Sequence, residues 1–158
     1  MNKEQALLLL SIHSGRNPDI NDPRWESGFL GVLRPFQGVL TDSNFHEIME
    51  CLKVLSADFD SKQIGQEAVS DLWGICYTAR VWALGKNGML QRNNLLTEEQ
   101  TSILDEWLDI IAYAVMNLLW SNSDEAFEFY DRYCKEAVNH EWRPAAGPGR
   151  IRTQSEKR

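Results

Sequence analysis

Cysteine is scarce in this sequence and widely spaced, with Cys51, Cys76 and Cys134 as its three thiols. An odd, scattered set excludes a disulfide framework, and no Cys or His stands close enough in sequence to complete a zinc site. Each thiol falls on or beside the apolar arc of its helix, where free cysteine packs as a small hydrophobe. Long apolar runs are missing too: nothing approaches the ~20 residues that cross a bilayer. ALLLL at residues 6–10 sits next to Lys3 and Glu4 with no cleavage site after it, which is not a signal peptide. A soluble, cytoplasmic chain is the expectation. No segment alternates with the period of a strand, and no internal repeat is found.

Recognisable catalytic groupings are absent as well. No Ser, His or Cys triad can be assembled. GKNG (residues 85–88) lacks the spacing of a phosphate loop, and HEIME (residues 46–50) has Glu50 where a zincin needs its second histidine. His46 and Glu50 read instead as an exposed pair one turn apart. His13 and His140 fall at helix ends, where an imidazolium suits the dipole.

What is present is a helical body. Hydrophobic residues make up 43% of 158, enough for one domain with a real core. The period predicts about six helices. They cover 3–13, 23–34 (opened by Asp22-Pro23 and stopped by Pro35), 41–56, 62–84 (ended by Gly85), 97–120 and 124–138. Thr97 with Gln100 forms a capping box. The expected architecture is an all-α bundle over residues 1–142. A flexible basic tail over 143–158 follows, where Pro, Gly and charge replace periodicity.

Charge divides the chain. The formal net is −7, yet the last eighteen residues carry +3, which leaves −10 on the first 140. A body this acidic repels nucleic acid and attracts basic partners. The helix from Thr97 concentrates the pattern: Leu104, Trp107, Leu108, Ile111, Val115, Leu118 and Leu119 share one face, and Asp105, Glu106 and Asp109 point the other way with Tyr113 beside them. With the polar loop residues Arg92, Asn93 and Asn94, these acids are the candidate partner-binding surface. Arg80 projects from an apolar arc between Val69 and Trp73. That placement predicts a buried carboxylate pair tying two helices, with the guanidinium on Trp73; an anion clamp is the alternative. Most tryptophans fall on apolar stripes and read as core, whereas Trp120 and Trp142 suit an interface.

Two carboxylate pairs three residues apart, Glu47 with Glu50 and Glu106 with Asp109, have the oxygen-ligand chemistry of a Mg²⁺ site. EWLDIIAYAV (residues 106–115) resembles the second acidic motif of the all-α NTP pyrophosphatases, the MazG-like superfamily, and HEIMEC (residues 46–51) is a looser match. That resemblance implies magnesium held by those four acids and cleavage of nucleotide triphosphates. The spacing departs from the family, because a whole extra helix and a long loop separate Glu50 from Glu106. The reading favoured by the residues is a small acidic protein without catalysis that docks a basic protein partner, in the manner of inhibitors, immunity proteins or antitoxins. The alternative is the Mg²⁺-dependent hydrolase.

Overall fold

The computed structural model describes residues 1–139, with side chains described through Ala137; His140, Trp142 and the basic segment 143–158 lie outside the described residues. The described chain is all-α. Five helices have eleven residues or more: α1 (Lys3–His13), α2 (Asp42–Asp60), α3 (Gln66–Ala79), α5 (Glu98–Leu119) and α6 (Glu128–Asn139); α4 (Met89–Arg92) is a single turn. Among the described residues there is no strand, only one isolated antiparallel bridge between Leu33 and Phe36. None of the described helices is long and apolar enough to cross a membrane.

Local chemistry explains where the helices begin. Asn2 accepts the Gln5 N–H while the Gln5 side chain accepts the Asn2 N–H, a reciprocal cap that opens α1. Thr97 and Gln100 make the same exchange at α5, as their spacing predicts. Asp42 places a carboxylate in the first turn of α2, where it meets the positive end of the helix dipole.

The expected helix over 23–34 does not form. Residues 22–34 are a series of turns, and two glycines show why. A Cβ at Gly28 would stand 2.7 Å from the Ile12 carbonyl oxygen, and one at Gly31 would stand 2.4 Å from that of Trp25. Here backbone presses against backbone, Gly28 against the end of α1 and Gly31 within the turns themselves, and neither position has room for a side chain. Asp22 turns its carboxylate onto the Arg24 N–H and guanidinium, a local turn rather than a helix start.

Other boundaries shift. α2 runs four residues past Ser56, to Asp60. α3 starts after Gly65, because Lys62 takes a left-handed φ of 56° that breaks the segment there. Its last turn, Arg80–Leu84, widens into a π-helix whose closing bond runs from the Gly85 N–H to the Arg80 oxygen at 2.7 Å. The expected loop over 85–96 contains α4, and α6 opens at Glu128 after a turn over 124–127.

α2 is the central element, with α1 on one side and α5 on the other; α3 packs on both α1 and α5. Its Phe45, Ile48, Met49, Leu52 and Leu55 are all buried, as the apolar stripe predicts. Phe45 is enclosed by aromatics: Trp107 stacks on it at 5.3 Å, and Tyr130 and Tyr133 meet it edge-on. Each such side chain contributes ~1.5–3 kcal/mol through burial, so this layer outweighs any single surface pair.

Tryptophan placement departs from expectation. Among the five described tryptophans Trp107 is buried, Trp25 and Trp82 are half-buried, and Trp73 and Trp120 are largely exposed. Leu119, assigned to the apolar face of α5, is exposed, and so is Leu8 of α1.

Candidate functional site

α5 brings Asp105, Glu106 and Asp109 to the mouth of a cleft of about 390 Å³ between α5 and α6. Ile110, Phe129 and Tyr133 give it apolar walls, and Glu136 and Arg132 face it from α6. The walls are held in place: Tyr113 stacks on Phe129 at 4.1 Å, and the Trp107 ring N–H donates to the Tyr133 hydroxyl at 2.9 Å. Arg132 lies over Phe129 at 5.3 Å, and among the described ion pairs neither Glu128–Arg132 nor Asp131–Lys135 is formed.

The acids of this cleft differ in their partners. Arg80 spans two of them, with Asp105 at 2.9 Å and Asp109 at 2.5 Å. Glu106 and Glu136 have no ion pair among the described residues, and burial, then Glu136, raises the Glu106 carboxyl above its ordinary range. The cleft therefore keeps two acids in excess of Arg80 and Arg132. The Arg80 pair is not buried, however. The Arg80 side chain is 37% exposed and that of Asp109 71%, and Arg80 stands at the start of the π turn. Trp73 does not cover it; that indole is exposed and stacks on Tyr77, one turn along α3, with ring centroids 6.3 Å apart.

The polar loop residues lie elsewhere. Arg92 closes α4, the Asn93 side chain donates to the Met89 oxygen at 2.7 Å, and Asn94 has a left-handed φ of 51°. All three are exposed, and none borders the cleft of Asp105, Glu106 and Asp109.

The four acids of the magnesium reading have separate engagements. Glu47 takes His13 Nε2 at 3.0 Å, Glu50 takes Lys53 at 3.1 Å, Asp109 takes Arg80, and Glu106 faces α6. Among the described residues no three or more His, Cys, Asp or Glu side chains are placed to hold a metal ion. His46 does not pair with Glu50; its Nδ1 is 2.9 Å from the Tyr130 hydroxyl, which fixes α6 to α2.

A second polar cluster gathers where α1 ends, and nothing local in the sequence marks it. His13 is buried: Nδ1 accepts the Phe29 N–H at 3.1 Å, which places the ring proton on Nε2, facing Glu47. The imidazole is thus neutral, and burial holds its pKa below the ordinary value in spite of Glu47. It is not the helix-end imidazolium that its position suggests. Ser14 donates to Asp71 Oδ1 at 2.7 Å, and Arg16 Nε approaches the same oxygen at 3.6 Å while its guanidinium contacts Ser70. Asp71 is only 5% exposed, and burial raises its carboxyl above the usual range against the opposing pull of Ser14 and Arg16. The cysteines are free: Cys51 is buried, with its thiol pushed up to about 12, and half-buried Cys76 is pushed up to about 11.

No protein family, curated protein or solved structure that was searched matches this chain. The arrangement offers hydrogen-bond acceptors, negative charge and aromatic walls, which is the chemistry of recognising cations.

Proposed function

We propose that this protein is a non-catalytic binding protein that docks a basic protein partner, and that the α5–α6 cleft receives a lysine or arginine side chain of that partner. The observation that carries this reading is the pair Glu106 and Glu136, two acids in one aromatic-walled cleft with no ion pair among the described residues. An arriving cation relieves their mutual repulsion and lies against Tyr133, where cation–π attraction contributes ~0.5–2 kcal/mol. The −10 of the first 140 residues speeds the approach of a basic surface at low salt. Inhibitors, immunity proteins and antitoxins work by this kind of charge-steered docking.

The test uses a short lysine- and arginine-rich peptide as probe and compares wild-type protein with the Glu106→Gln, Glu136→Gln double variant. Removing both charges keeps the shape of the cleft. The reading expects the dissociation constant to rise by about tenfold or more, equivalent to ~1.4 kcal/mol, with unchanged helicity. Equal affinity for the two proteins would refute it.

A further inference from the structure

We infer that a second cleft, between α1 and the N-terminal half of α3, is a binding site for a primary ammonium group on an apolar stem, with Asp71 Oδ2 as its acceptor. This inference is independent of the α5–α6 cleft. The space is larger, about 710 Å³, within the range of small-molecule pockets. Leu7, Leu8, Ile64 and Ala68 supply its apolar wall, and Asp71 is part of its lining.

The carboxylate is half engaged. Both of its contacts, from Ser14 and from Arg16, go to Oδ1. No hydrogen bond among the described residues reaches Oδ2, and no side-chain polar atom that is sealed from solvent lacks a partner. Oδ2 is therefore not sealed from solvent, and Asp71 is a lining residue of the cleft. A carboxylate that is 5% exposed with one bare oxygen is costly in isolation and gains most from a charged donor.

The sign of the ligand follows from the partners already taken. Lys3 is held by Asp58 at 2.6 Å, and Arg16 by Asp71 and Ser70, so neither cation is available to recruit an anion. Glu67 adds a second acid to the lining and has no ion pair among the described residues. The Leu8 side chain, 42% exposed on a helix whose other leucines are better covered, gives an alkyl stem a surface to lie on.

The experiment titrates the full chain with n-pentylammonium, with pentan-1-ol as the neutral isostere, by calorimetry and amide chemical shifts. Saturable binding of the amine is expected, with shifts at residues 64–71. The alcohol should bind at least about tenfold more weakly, as loss of one charge-assisted bond implies. Asp71→Asn keeps an oxygen for Ser14 and should lower amine affinity by a similar factor. Gly65→Phe provides a variant that leaves Asp71 intact: Gly65 lines the cleft and a Cβ there meets nothing within 4 Å, so a bulky side chain at this position is expected to occupy the cleft and amine binding to be lost. Nα-acetyl-lysine methylamide separates the sources: affinity equal to pentylammonium points to a protein-borne lysine, and weaker binding points to a free amine. Absence of saturable amine binding, equal binding of the alcohol, or full amine affinity in either variant would overturn the inference.

Discussion

His13 accepts a backbone N–H on one nitrogen and faces Glu47 with the other, so protonation would break the first contact to strengthen the second. Its folded pKa lies below the unfolded value of about 6.5. Stability from His13 is therefore present above that value and is lost as pH falls toward the folded pKa. Asp71 has the opposite sign: its folded pKa is raised, so stability is present below the unfolded value of about 3.9 and is lost as pH rises through the folded pKa. The two slopes oppose each other below pH ~6.5, so urea denaturation across pH 4 to 8 separates them through the variants. His13→Gln should flatten the acid side, and Asp71→Asn should flatten the rise-side loss; unchanged slopes in the variants would contradict these assignments. Phe45, with no exposed surface and three aromatic neighbours, should cost ~3–5 kcal/mol as Phe45→Ala. That same position was legible from spacing alone, because Phe45, Ile48, Met49 and Leu52 repeat with the helix. His13, Ser14 and Asp71 were not, because their partners are distant in sequence: Phe29 reaches His13 from the turns after α1, and Ser14 meets Asp71 only when α3 packs on α1.

Helices announced themselves where a cap and a stripe coincided, as at Thr97 with Gln100. The misread element was 23–34, where Asp22-Pro23 has the chemistry of a helix start but Gly28 and Gly31 serve a close backbone approach. A glycine's purpose depends on what lies against it, which at Gly28 is the end of α1 and at Gly31 the folded turn itself. The contrast can be measured on two other glycines. Gly74 is within α3 with nothing near its would-be Cβ, so Gly74→Ala should stabilise by ~0.5–1 kcal/mol. A Cβ at Gly88 would stand 2.4 Å and 2.6 Å from the Val81 and Trp82 oxygens of the π turn, so Gly88→Ala should instead lower the melting temperature. Arg80, the first residue of that turn, is half exposed with its two acids, so Arg80→Ala should cost no more than ~1 kcal/mol, the scale of a surface pair. A loss of ~3–5 kcal/mol would restore the buried pair that the apolar arc implies.

At the scale of the molecule, excess negative charge and a helical scaffold were both readable from composition and period. The location of the charge was only partly so. Asp105, Glu106 and Asp109 do share one side of α5, but Arg80 bridges two of them and offsets one charge, and Glu136 of α6 contributes an acid that the α5 pattern could not indicate. The most direct test is a chemical-shift map of the full chain titrated with the lysine- and arginine-rich peptide at low and at high salt. The account predicts shifts concentrated at Glu106, Ile110, Phe129, Tyr133 and Glu136, with affinity falling as salt screens the acids. Shifts spread evenly over the acidic surface, or affinity indifferent to salt, would contradict it.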